Sequence, residues 1–226
     1  MEHLIDMELD ALKQALLTMA SHAETAVNRA VRALQERDHA LASQVNDDDV
    51  VIDRYEIEID ERAIQLLAKA PLAGDLRFVT VAMKISQNLE RVGDEAAKIA
   101  KRARDLSGEA PVRVQIDVQP MAALAISMLR DALDAFVRRD AAAAREILPR
   151  DRGVNSMNKQ FSAVLADHMS NHSSEVKGCL KLMVVVKSLE RIADHAKNVA
   201  EEVVFLCEAQ DIRHASKARF SQGSTR

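Results

Sequence analysis

A chain of 226 residues with 48% hydrophobic and 29% charged residues has an ordinary globular composition and is long enough for one large or two small domains. Six glycines, four prolines, one tyrosine and no tryptophan, against abundant Ala, Leu, Glu, Lys and Arg, form a helical vocabulary. A net charge of −4 with only 3% aromatic residues supplies neither a basic footprint nor stacking platforms, so nucleic acid is excluded as the expected partner.

The opening MEHLIDMELDALKQALL places acids where a secretory signal carries Lys or Arg, and no window approaches 18 uninterrupted apolar residues. A cytoplasmic location is therefore expected. Leu9, Leu12, Leu16, Met19, Ala23, Ala26, Ala30 and Ala33 step by three and four, which predicts an amphipathic helix from about residue 1 to 35. A second helix is predicted from about Asp38 to Ala70, stopped by Pro71, and a third from about Ala73 to Ser107, closed by Gly108 and Pro111. Residues 108–119 (GEAPVRVQIDVQ) read as an extended linker. The cycle then restarts, with helices predicted over about 120–139, over 141–172 with Pro149 and Gly153 disturbing its early turns, and over 174–210.

Both cysteines, Cys179 and Cys207, fall in the last of these helices and are separated by roughly 40 Å of helical rise. They cannot pair within one chain and are expected as reduced thiols. The final DIRHASKARFSQGSTR is polar and reads as a disordered tail.

LERVGDEAAKIA (residues 89–100) returns a hundred residues later as LERIADHAKNVA (189–200). Over fifteen aligned positions six residues are identical, so the chain is expected to be all-α: two tandem three-helix bundles made by duplication, over 1–110 and 116–210, with a tail at 211–226.

Each copy sets a Glu and an Asp four apart, a like-charge pair that costs a helix a few tenths of a kcal/mol. Glu90 and Asp94 lie outside the apolar stripe of Leu89, Val92, Ala96 and Ile99; Glu190 and Asp194 lie off the stripe of Leu189, Ile192, Ala196, Val199 and Val203. In the second helix Asp49, Asp53, Glu56 and Asp60 make an acidic ridge, and the fifth carries Asp151 and Asn155 at matching spacing. Oxygen ligands converging from two helices suit hard or borderline ions such as Fe, Mn, Mg or Zn, with room for more than one. The plainer alternative is a solvated surface pair. Arg91 and Arg191 are candidates to hold a neighbouring carboxylate, and His195 is read as core-flanking or surface. P-loop, GxSxG and CxxC signatures are absent, and the lone ExxH, Glu36 to His39, falls at a helix junction, so no enzyme is expected.

The segment PLAGDLR (71–77) leading into LERVGDEAAKIA, the second copy LERIADHAKNVA and the duplicated layout resemble the PhoU family over about residues 5–210. The resemblance implies a cytoplasmic accessory protein of the phosphate ABC transporter. It would be a homodimer that restrains the phosphate-starvation response by linking the transporter's ATPase subunit to a sensor histidine kinase, and would meet the membrane only through these partners. It also implies surface metal clusters, here Asp49, Asp53, Glu90 and Asp94 in one half and Asp151, Asn155, Glu190 and Asp194 in the other. Asn155 stands where the family has Asp, Glu95 where it usually has His, and SSEVKGCLK where a second PLAGDLR would fall. The alternatives are a metal-dependent enzyme with a surface carboxylate centre and a purely structural bundle.

Overall fold

The computed structural model describes residues 2–69, 72–114 and 116–213. Among them the regular structure is entirely helical: α1 (Glu2–Glu36), α2 (His39–Leu67) and α3 (Ala73–Ser107), then α4 (Gln119–Arg138), α5 (Ala141–Ile147), α6 (Asp151–Asn171) and α7 (Val176–Glu208). The first three pack on one another as one bundle; α7 gathers α4, α5 and α6 into the second. Pro71, expected to stop the second helix, lies outside the described residues. Of the tail expected to be disordered over 211–226, Asp211 to Arg213 are described, with Arg213 paired to Asp211 and to Glu202 at 3.2 Å, and the remainder lies outside the described residues. The cysteines are free, Cys179 buried and Cys207 half-buried.

The apolar periodicities land where helical geometry requires. Leu12, Leu16, Met19, Ala23, Ala26, Ala30 and Ala33 of α1 are buried, as are the stripes of α3 and α7. The expected fifth helix is divided. Pro149 has no amide hydrogen to donate to the preceding turn, and the chain tightens into a 3-10 turn at Leu148–Arg150 before restarting as α6. Gly153 sits inside α6 without breaking it. The division makes Asp151 the first residue of α6, where the positive end of the helix favours its carboxylate.

A second duplicated element sits between the first two helices of each bundle. Arg37 and Arg139 both adopt the left-handed conformation (φ 54° and 53°), and each is followed by an Asp that caps the next helix. Asp38 accepts from the Leu41 amide and Asp140 from the Ala143 amide, each at 2.9 Å. The arginines then diverge. Arg37 donates to the carbonyls of Leu106 and Glu109 at the end of α3, whereas Arg139 lies over the Phe78 ring.

The bundles meet mainly along α3 and α7, which run antiparallel: Arg77 pairs with the Leu206 carbonyl, Lys84 with Glu202, Asn88 with His195 and Asn198, and Glu95 with Arg191. As the α3 number rises the α7 number falls in step. A pseudo-two-fold axis passes between the two LERxxD copies. Phe78 of α3 stacks on Phe136 of α4 with ring centroids 5.5 Å apart, closing the same junction.

The linker is strapped down. The Arg113 amide donates to Glu175 at 2.8 Å, Lys181 reaches Glu109 at 2.6 Å, and the backbone of α7 at Gly178 passes so close that an added Cβ would lie 2.3 Å from Val112 Cγ2. Gly178→Ala is therefore expected to destabilise by about 1–3 kcal/mol through overpacking, measured by chemical denaturation. Unchanged stability would mean that the linker yields freely.

Candidate metal centres

In the first bundle Gly93 has no side chain to hold α2 away. A Cβ there would lie 2.9 Å from Ile52 Cδ1 and 3.2 Å from Asp49 Oδ1. The glycine of LERVGD thus brings the acidic ridge of α2 against Glu90 and Asp94. Asp49 is held above the ordinary carboxylate range by burial, then by Asp53 and Asp94, with Lys98 opposing. Glu90 is raised by burial and by Asp94, against Arg91, with Glu56 and Asp53 adding to the rise. Glu56, raised by burial and by Asp60 and Asp53, belongs to the same field.

The four expected residues of this set therefore share one electrostatic field, Asp49 feeling Asp53 and Asp94, and Glu90 feeling Asp94 and Asp53. The cations at hand are side chains at the edge: Arg91 at 3.3 Å from Glu90 and 3.4 Å from Asp94, and Lys98 at 3.9 Å from Asp94. Arg91 is 62% exposed, and its ion pairs, with Glu90 and Asp94, are made within its own helix. Among the described residues, no three His, Cys, Asp or Glu side chains stand as a ready-made ligand group. An ion would have to draw the carboxylates inward and displace Arg91. The donor set fits such an ion chemically: oxygen ligands from two helices, with repulsion left among them.

The second set is built differently. Asp151 is buried; its Oδ2 accepts from Asn155 Nδ2 at 2.9 Å and lies 3.6 Å from Lys197 Nζ, while its buried Oδ1 has no hydrogen-bond partner among the described residues. Asp194 is raised by burial, then by Asp151 and Glu190, with Lys197 and Lys187 opposing. Lys187 also pairs with Glu190. Lys187 and Lys197 flank this set as Arg91 and Lys98 flank the first, though from different positions, since Gln87 and Ala97 stand a hundred residues earlier. The difference that remains is Asn155, which leaves three carboxylates where the first set has four. Asn155 commits its amide to Asp151. The first set is the stronger cation field.

The pKa directions set a sign. A carboxyl raised in the folded state penalises folding at neutral pH, and the penalty disappears once the pH falls below its unfolded value. Asp49→Asn without metal is expected to raise stability at pH 7 by about 0.5 kcal/mol. The gain fades as the pH is lowered through the raised Asp49 range. Thermal melts in chelator between neutral and acidic pH check this, and a loss of stability at pH 7 would contradict it.

Glu95 is the residue that sequence reasoning placed least well. It is buried at the α3–α7 seam, pairing with Lys98 at 2.9 Å and Arg191 at 3.2 Å. These contacts and the Ser188 hydroxyl hold its carboxyl below the ordinary range despite burial. At the equivalent position His195 bonds Asn88 at 3.0 Å, and burial lowers its pKa. Arg191 thus grips the neighbouring helix; Arg91 does not.

A family model described as the PhoU domain matches the chain twice, over residues 16–103 and 118–203. The chain belongs to the PhoU family. Each PhoU match contains one complete carboxylate set. The phosphate-specific transport system accessory protein PhoU homolog of Pseudomonas putida is 38% identical over 217 residues, covering 95% of this chain and 84% of the relative. The PhoU accessory protein of Escherichia coli (strain K12) is 31% identical over 208 residues, covering 92% and 86%. The crystal structure of PhoU from Pseudomonas aeruginosa matches with a TM-score of 0.86 at 37% identity, over 91% of this chain and 99% of that one. PhoU from Streptococcus pneumoniae gives 0.84 at 27%, over 92% and 99%.

Proposed function

We propose that this chain is a non-enzymatic accessory protein of phosphate transport in the cytoplasm. In this reading it restrains the phosphate-starvation response by linking the phosphate ABC transporter's ATPase subunit to a sensor histidine kinase. Its two bundles offer long helical faces to these partners, and bound Fe, Mn, Mg or Zn neutralises the carboxylate sets. The observation that carries the reading is the match of both halves to the PhoU domain, alongside relatives named as phosphate-specific transport system accessory proteins. Glu90 of the first set, with Glu56, borders an open groove with Gln87, Asn88 and Arg91. That setting favours an adaptor over an enzyme, which would need a water-excluding pocket. No helix among the described residues is long and apolar enough to cross a membrane.

The test is affinity purification of the tagged chain from cells grown with and without phosphate. Recovery of the transporter ATPase and the kinase is expected, and recovery of neither overturns the reading.

A further inference from the structure

Helix α2 carries two apolar seams at seven-residue spacing. Val45, Ile52, Ile59 and Leu66 are buried against the first bundle. Val50, Ile57 and Ile64 lie on the other side and are 50%, 60% and 62% exposed. Isolated exposed aliphatic residues are commonplace on a protein surface. Three in heptad register form a line of β-branched side chains about 21 Å long, one apolar position per two turns with charged residues between them, onto which the apolar seam of another helix can be laid.

The charges beside this ridge choose the occupant. Three or four residues from its members, on the same face, stand Asp47, Asp53, Asp60 and Glu61, against a single cation at that spacing, Arg54. Over its whole length α2 holds eight acids and two arginines, and one of those, Arg62, is paired with Glu58 at 2.8 Å. A second copy laid antiparallel on this ridge would set these acids against one another, relieved only where Arg54 meets Asp60. A cationic partner meets no such repulsion.

We infer that the exposed Val50–Ile57–Ile64 ridge of α2 is a docking surface for a basic amphipathic helix of a partner protein. The aliphatic ridge supplies the contact energy, and the flanking acids select lysine- and arginine-rich helices and set the register. A homodimer formed through another face leaves the ridge free. The inference rests on the adaptor reading only for the expectation that a protein partner exists.

The probe is a synthetic three-heptad peptide with Leu at the seam positions and Lys at the flanks, fluorescently labelled and titrated into the full chain. The first control is a peptide of the same composition with its leucines scattered around the helix. The second carries Glu in place of Lys. The basic amphipathic peptide is expected to bind, with affinity falling as salt rises. Ile57→Ser with Ile64→Ser should weaken it about tenfold or more, and the thermal melt should be preserved because both side chains are exposed.

Equal binding of the scattered or acidic peptide, or equal binding by the double variant, overturns the inference. So does a dimer of the unaltered chain that the double variant dissociates, since the occupant is then a second copy. The peptide titration decides the ridge, while affinity purification of the unaltered chain decides the adaptor reading, so the two can fail separately.

Discussion

Glu90→Ala combined with Asp94→Ala will abolish metal uptake at the first carboxylate set. With the metal near a hundred times its dissociation constant, binding to the folded state alone adds about 2.7 kcal/mol. For a chain of this size that is roughly 5–10 °C in melting temperature. The unaltered chain, stripped with chelator and resupplied with Mg, Mn, Fe or Zn in turn, should show such a rise with at least one ion. The double variant should lose the first set's share of it. Elemental analysis of protein purified without chelator provides the second readout, and unchanged metal content in the double variant would dismiss the first site. Retained metal in the variant would be assigned to the second set by adding Asp151→Ala. The second set should hold metal less firmly, because Asn155 leaves it one carboxylate fewer and commits its amide to Asp151.

Phe136→Ala should produce the largest loss of stability. The ring is 1% exposed and stacks on Phe78 across the junction of the bundles. Removing a buried aromatic side chain costs about 3–5 kcal/mol, here on the order of 10 °C in melting temperature. Because α3 and α7 bury a shared face, the melt should remain one transition and shift as a whole. Calorimetry checks both points; two separated transitions would show that the bundles unfold independently.

The helices were legible because each first bundle face repeats on a period near 3.6, and α3 was bounded correctly at both ends. What the pattern concealed was the second buried face of α3. Helix α3 lies between its own bundle and α7, and the face toward α7 carries polar residues such as Lys84, Asn88 and Glu95, which read as ordinary interruptions of a stripe. Glu95 consequently looked like a neighbour of the site when it is part of the seam. The carboxylate sets were legible for a different reason: a fixed offset of a hundred residues separated them from the other surface acids. Their counter-ions carried no such mark, since Lys187 and Lys197 have no lysine at the equivalent positions of the first half. The duplicated Arg-Asp turn was visible in the letters, but only the left-handed backbone at Arg37 and Arg139 identifies it as one device used twice.

The antiparallel seam has the geometry of an isologous contact, in which one patch meets its own copy and every pair of residues occurs twice. Its chemistry is no longer isologous. Glu95 faces Ser188 and Arg191 while His195 faces Asn88, and Lys84 meets Glu202 where the mirrored pair is Val184 and Arg102. Joining the copies in one chain removed the requirement that the patch complement itself, and each side has specialised toward the other. Divided at the linker and produced as separate fragments, the halves should therefore prefer each other to themselves, behaving as a heterodimer whose subunits happen to share an ancestor.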